Sequence, residues 1–230
     1  MLDEAEEIFG PSIVLYYERQ CHAEALGRRD LAATAARQAA LTTARTGWKH
    51  YALGRSLVRS GKLAEASAEF QAALQLQPDS FWAHFYRGTC AYRLKQYLDA
   101  VVAFSVCIGH APDNAICYYN RALALTALEQ PDSALNDYDQ ALRLDSTLAP
   151  AVLNRGLLHY RANRLAAARA DLQRALQLGA HPATVYYNLA LVCLAENDRV
   201  QALQNLREAL VRDPEHREAR DLQEKLLRQP

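Results

Sequence analysis

The sequence predicts an all-α protein made of stacked helix pairs, and three observations predict it. A residue pattern recurs every 34 residues from 47 to 216 without insertion. Each period contains two amphipathic stretches, separated by a break such as Gly61, Asn163 or Asn197. Small residues also recur in the middle of these stretches. Together these features indicate one supersecondary unit that is repeated and buries its apolar faces against its neighbours.

The chain divides into consecutive blocks of one helix pair each. The two helices of a block must pack antiparallel, because only a short turn joins them. Gly and Asn at the break suit the left-handed conformation that ends a helix. The predicted clear blocks are 47–80, 81–114, 115–148, 149–182 and 183–216.

Small residues in mid-helix predict close helix crossings. Glycine there costs roughly 1 kcal/mol relative to alanine, whereas a large side chain at a close crossing costs about 1–3 kcal/mol through overpacking. We therefore expect Gly54, Gly88 and Gly156 to face a partner helix. The facing helices supply Ala66, Ala100, Ala134, Ala168 and Ala202, with Phe70, Phe104 and Tyr138 predicted to fill the space between successive blocks.

The two ends depart from the clear pattern. Residues 13–46 form a degenerate sixth copy, with Gln20 at a position where a small residue belongs. Residues 1–12 are an acidic lead-in segment. Residues 217–230 predict a charged amphipathic helix that caps the last apolar face of the stack.

The recurring pattern resembles the tetratricopeptide repeat, whose signature is a large residue, Leu-Gly, an aromatic residue, and later Ala, Phe, Ala and Pro. Most of the chain carries the resemblance. It implies an α-solenoid, a right-handed superhelix of antiparallel pairs with five clear repeats and one degenerate repeat. The first helix of each pair would line the concave side.

Three asparagines occupy the same position, or slot, of successive repeats, and the resemblance places this slot on the inner side of the groove. Asn120, Asn154 and Asn188 interrupt otherwise apolar helices at equal spacing. An amide side chain can bond both the N–H and the C=O of an extended peptide. They would hold a ligand backbone, although the family also keeps asparagine there whatever the ligand.

Aromatic and cationic residues occupy the other inward slots that the resemblance implies. Aromatic side chains suit recognition hot spots, and arginine would favour an acidic or carboxylate-bearing peptide. Helix packing is the alternative role for the aromatic residues. The predicted groove residues besides the asparagines are Tyr51, Phe85, Tyr119, Tyr187, Tyr92, Tyr160, Arg55, Arg59, Arg93 and Arg161.

A second set of arginines has a structural role in our interpretation. Arg87, Arg121 and Arg155 replace the leucine usual at their slot, while Asp137 and Asp171 recur in second helices. We expect ion pairs between repeats.

Composition and motifs exclude several functions. Lys plus Arg equals Asp plus Glu at 26 each, which argues against a nucleic-acid partner. Neither a secretory signal nor a long apolar segment occurs, so we expect a cytoplasmic protein without a membrane partner. The five cysteines form no CxxC pair and are expected to be buried, and no catalytic motif or metal-ligand spacing appears. We therefore predict no catalytic residues, no metal and no cofactor.

The first functional hypothesis is a non-enzymatic module that binds an extended protein segment in its groove. One alternative is a homo-oligomeric assembly element that pairs through end helices. Another is the recruiting portion of a larger signalling enzyme, such as a bacterial Ser/Thr kinase, whose C-terminal repeat arrays the sequence resembles.

Overall fold

The computed structural model describes residues 12–41 and 46–228. The predicted lead-in 1–12 therefore lies outside the described residues except for Ser12, as do 42–45 and the last two residues of the predicted cap. Within these ranges the regular structure is entirely helical. The chain forms two compact units, residues 1–112 and 113–230, which we call unit 1 and unit 2.

Unit 1 contains three helix pairs. Each helix packs on its pair partner, and α3 also contacts α1 and α5. The helices are α1 (Ile13–Ala25), α2 (Arg29–Leu41), α3 (Gly47–Arg59), α4 (Leu63–Leu76), α5 (Phe81–Arg93) and α6 (Tyr97–His110).

Unit 2 contains three further pairs and a terminal helix that packs on α12. The helices are α7 (Ala115–Ala127), α8 (Pro131–Leu144), α9 (Ala149–Arg161), α10 (Leu165–Gln177), α11 (Pro182–Ala195), α12 (Arg199–Arg212) and α13 (Arg217–Arg228). Consecutive pairs contact through neighbouring helices in both units, which confirms the all-α solenoid predicted from the sequence.

The turn inside each pair has one geometry. After α3, the Gly61 N–H bonds to the Val58 carbonyl and the Lys62 N–H to the Leu57 carbonyl, which is the Schellman arrangement that ends a helix. It requires a left-handed residue, and Gly61 has φ +76°. The sequence indicated Gly61, Asn163 and Asn197 for this role, but Lys95 (φ +62°) and Glu129 (φ +57°) adopt it without the residue type that favours it.

The core consists of one large side chain per second helix, set against a small residue of the first. Phe70 is fully buried, and a Cβ added at Gly54 would lie 2.7 Å from its ring. Glycine at this crossing is thus required by the ring of its own pair. Phe70 also stacks on Tyr86 of the next pair at 5.7 Å, so it fills space within a pair as well as between pairs. The equivalent buried side chains are Phe104, Tyr138, Leu172 and Leu206.

Candidate functional site

Buried ion pairs fix two first helices of unit 2, α7 and α9, onto the second helices of their repeats. Arg121 on α7 donates two hydrogen bonds of 2.7 Å to the Asp137 carboxylate on α8. Arg155 on α9 makes the same paired contact with Asp171 on α10, at 2.8 and 2.7 Å. Both aspartates are buried, and these bonds raise the arginine pKa values further. The arginines are therefore structural cations.

The location of these pairs corrects the expectation of bonds between repeats. Arg121 and Arg155 each pair with the second helix of their own repeat, because the aspartate lies where the two helices of one pair cross. Arg155 in addition bonds Asp139 of the preceding repeat at 2.7 Å. Arg87 of unit 1 reaches only the neutral Gln71 of the preceding repeat, at 2.6 Å.

The three predicted asparagines lie on α7, α9 and α11 and are half-buried. The Nδ2 of Asn120 donates to the Ile116 carbonyl at 2.8 Å, and that of Asn188 to the Thr184 carbonyl at 2.7 Å. One amide N–H and the Oδ1 oxygen of each side chain therefore make no hydrogen bond to the described residues. We call Asn120, Asn154 and Asn188 the amide row.

Asn154 connects two successive first helices. Its Nδ2 donates to the Tyr119 hydroxyl at 3.3 Å, so that predicted groove residues from α7 and α9 lie together. Tyr187 on α11 instead packs against His216, with ring centroids 5.1 Å apart. Burial raises the pKa of Tyr187, and its phenol stays neutral and able to donate. Tyr160 is half-buried at the end of α9.

Aromatic rings replace amides in unit 1. The ring centroids of Tyr51 on α3 and Tyr86 on α5 lie 6.0 Å apart. Phe85 packs edge-on against the buried Phe104, with ring centroids 5.8 Å apart. Trp82 is 54% exposed and contacts both Phe85 and Tyr86. Tyr92 lies apart from this group and contacts Tyr97 at 5.6 Å.

Tyr86 was missed by sequence reasoning, although a signal was available. It lies 34 residues before Asn120 and so occupies the slot of the amide row in unit 1. Its ring connects Tyr51, Phe70 and Trp82.

The predicted cationic residues have different environments. The Arg55 guanidinium lies over the Tyr86 ring at 5.3 Å and over the Tyr51 ring at 6.0 Å. Arg59 forms an ion pair with Glu18 of α1. Arg93 and Arg161 are exposed at the ends of α5 and α9. The structure therefore brings Arg55 together with predicted aromatic residues, whereas Arg59 is turned toward a carboxylate of the preceding pair.

Charge is segregated between the two helices of each pair. The first helices α3, α5, α7, α9 and α11 contain neither Asp nor Glu, and all of them except α11 contain Arg or Lys. The acidic residues of these repeats lie in second helices and turns, including Glu65, Glu69, Asp99, Asp137 and Asp171. Negative side chains on first helices are therefore confined to α1, which carries Glu18 and Glu24.

Metal binding, thiol chemistry and membrane insertion find no support in residues 12–41 and 46–228. No group of three or more His, Cys, Asp or Glu side chains in these ranges is placed to hold a metal ion. Four cysteines are buried, and burial raises the pKa of the Cys90 thiol to about 11, which keeps it protonated. None of the helices described is both long enough and apolar enough to cross a membrane.

The sequence matches family models over its middle part. Residues 51–115 match one model described as tetratricopeptide repeat, and residues 115–148 match a second model with the same description. The comparison with curated proteins found no match.

Solved structures share this fold at low sequence identity. YrrB, described as a TPR protein with an unusual peptide-binding site, is 22% identical with a TM-score of 0.66, covering 76% of this chain and 91% of its own. TTC0263, a TPR protein of Thermus thermophilus, is 23% identical with a TM-score of 0.61, covering 79% of this chain and 99% of its own. The Cut9–Hcn1 hetero-tetramer structure is 17% identical with a TM-score of 0.70, covering 98% of this chain and 45% of the matched one.

Proposed function

The chain belongs to the tetratricopeptide-repeat family, and on that premise we propose that it is a non-enzymatic protein-interaction scaffold that binds an extended segment of a partner protein along its first helices. The stacked pairs supply a rigid support, and the exposed polar and aromatic side chains of the first helices supply the contacts. Recognition elements built on helices keep their geometry better than elements on loops.

One observation supports this proposal: on α7 and α11 the Oδ1 oxygen and one N–H of the asparagine bond no described residue, while the other N–H bonds a carbonyl of its own helix. A held amide is already oriented, so less conformational entropy is lost when it bonds a ligand. Backbone N–H and C=O groups of an extended peptide offer the matching donors and acceptors.

An acidic segment is the partner we favour for this surface. Helices α3, α5, α7, α9 and α11 carry no carboxylate, and Arg93 and Arg161 are exposed on α5 and α9. Negative side chains on a ligand would therefore meet cations without repulsion, which favours both encounter and register.

Replacement of Asn120, Asn154 and Asn188 together by alanine tests the proposal. Since each side chain is half-exposed and alanine favours helix, helicity and the melting temperature should stay nearly unchanged. Affinity for a bound segment, measured by calorimetry, should fall by about tenfold or more, because several hydrogen bonds to the peptide backbone are lost. A large loss of stability would instead make the amide row a structural element and contradict the proposal.

Self-assembly is the second candidate, favoured by the apolar surface at the first helix pair. Leu26 is 56% and Leu31 is 55% exposed there, and no described helix covers this pair in the way that α13 packs on α12. Light scattering over a range of protein concentrations separates the two. A monomer at high concentration would exclude self-assembly.

A further inference from the structure

Unit 1 carries a partly exposed cluster of rings beside one arginine, in which Trp82 and Arg55 are exposed and the other rings are half-buried. We call it the arginine–aromatic patch: Tyr51, Arg55, Trp82, Phe85 and Tyr86. We propose that this patch is a distinct docking site for an acidic segment that carries a large apolar side chain. The inference rests on the proposed function, because it takes the first helices as the ligand-binding side.

The rings of the patch are anchored from below. Tyr86 stacks on the buried Phe70 at 5.7 Å, and Phe85 packs on the buried Phe104 at 5.8 Å. Trp82 meets Phe85 edge-on at 5.9 Å and remains more than half exposed. An aromatic surface that is held rigid and is partly exposed to water is typical of binding hot spots, since little entropy is lost when a ligand covers it.

Arg55 supplies a positioned charge beside these rings. Its guanidinium lies over Tyr86 and Tyr51 and is exposed, and no carboxylate among the described residues pairs with it. A guanidinium that lies over aromatic rings still presents its N–H groups at its own edge. A carboxylate can bind two of them there in a paired geometry. The patch thus combines an apolar contact with a fixed anion contact.

Charge complementarity determines the kind of occupant. All charged residues of α3 and α5 are cationic, namely Lys49, Arg55, Arg59, Arg87 and Arg93. Only Arg59 of these forms an ion pair within the described ranges. A basic segment would be repelled and a neutral one would leave Arg55 without a partner, so the surface selects acidic flanks around the apolar side chain.

The protein carries its own reporter of this site. Trp48 and Trp82 are its two tryptophans, and the Trp48→Phe variant leaves emission from Trp82 alone. The probes are synthetic peptide pools of equal length with Phe or Leu at the centre and flanks of Asp/Glu, Ser/Asn or Lys/Arg. A fourth pool keeps the Asp/Glu flanks but has Ala at the centre.

We expect the acidic pool with an apolar centre to shift Trp82 emission, with at least about tenfold higher affinity than the other pools. Raising the salt concentration should weaken this binding. Arg55→Gln should lower the affinity for the acidic pool to that for the Ser/Asn pool. Arg207→Gln, which removes an exposed cation on α12, is the matched control and should leave the affinity unchanged. Circular dichroism melting of each variant verifies that it folds. If Arg55→Gln does not fold, Arg55→Lys replaces it, because lysine keeps the charge but loses the paired hydrogen-bond geometry.

Three results would overturn the inference. The acidic and Ser/Asn pools could bind equally well. The pools could bind by calorimetry and depend on the amide row while Trp82 emission stays constant, in which case the proposed function stands without this site. Trp82 emission could change with protein concentration alone, which would indicate a second copy as the occupant. Failure of every pool to bind by calorimetry would overturn the proposed function as well.

Discussion

Unit 1 and unit 2 use the same helical scaffold but place different chemistry at equivalent positions. The position that holds Asn120, Asn154 and Asn188 in unit 2 holds Ala52 and Tyr86 in the two clear repeats of unit 1. The arginine slot is bonded to buried aspartates in unit 2 but to the neutral Gln71 in unit 1. Unit 2 thus offers neutral amides beside ion-paired arginines, whereas unit 1 offers rings beside Arg55, which pairs with no carboxylate in the part of the chain that the structure describes.

This difference shows which positions define the fold and which are free to vary. The crossing positions are small in both units, because a Cβ added at Gly54 would lie 2.7 Å from the Phe70 ring and one added at Gly156 would lie 3.1 Å from the Asp171 Cβ. The exposed slots of the first helices have no such constraint. The repeat can therefore change its recognition chemistry without changing its backbone.

The largest expected effect comes from removing an arginine that forms a buried ion pair in unit 2. Arg155→Ala removes the partner of Asp171, which is buried, and leaves an uncompensated charge there. We expect a loss of about 3–5 kcal/mol in the free energy of unfolding, measured by urea titration with circular dichroism.

Arg87→Ala in unit 1 is the matched comparison. It removes one bond to an exposed amide and should cost less than about 1 kcal/mol. Equal losses for the two variants would show that the ion pairs of unit 2 add nothing specific to its stability.

A second, smaller effect tests the shared scaffold. Gly54→Leu places a side chain where the Phe70 ring already lies, and we expect it to destabilise the protein by about 1–3 kcal/mol through overpacking. Gly156→Leu in unit 2 should cost a similar amount, because its Cβ would approach that of Asp171 at 3.1 Å. Thermal melting measures both variants.

Gly109→Leu is the control for helix propensity. Nothing lies within 4 Å of a Cβ added there, so the substitution should stabilise the protein slightly. Destabilisation by all three variants would mean that glycine at the crossings is not a packing requirement.

The repeat was predictable from sequence because its determinants are local and periodic. Gly61, Asn163 and Asn197 have the residue types that adopt a left-handed turn, and the turns were predicted there. Lys95 and Glu129 adopt the same conformation because the two helices that each of them joins pack against each other as in the other pairs. Tertiary contacts therefore override residue preference at those two turns.

The candidate site was less predictable, because partners depend on how helices cross. The sequence marked Arg155 and Asp171 as a recurring pair but not as members of one repeat, since the crossing decides which aspartate is reached. Arg55 was identified without its ring partners, and Tyr86 was overlooked because no other repeat has tyrosine at that slot. The role of the amide row in ligand binding stays a prediction.

The smallest expected effect is on the pH dependence of stability, and it comes from a histidine of unit 2. His159 on α9 is largely buried, its Nδ1 has no hydrogen-bond partner among the described residues, and its Nε2 lies 3.9 Å from Asp171. Burial lowers the pKa of His159, assisted by Arg155 and Arg164 and opposed by Asp171 and Asp139. The unfolded chain therefore binds this proton more readily than the folded chain does.

Stability should accordingly fall as the pH drops below the ordinary histidine pKa of about 6.5, and this contribution should be fully present above it. His159→Leu, which installs the residue that Leu57 and Leu125 provide at the same slot, should make unfolding less sensitive to pH between about 5 and 7. Urea titrations at several pH values measure this, with His22→Leu in unit 1, where the imidazole is exposed, as the control. An unchanged pH profile in His159→Leu would mean that this imidazole accepts a proton as readily inside unit 2 as in water.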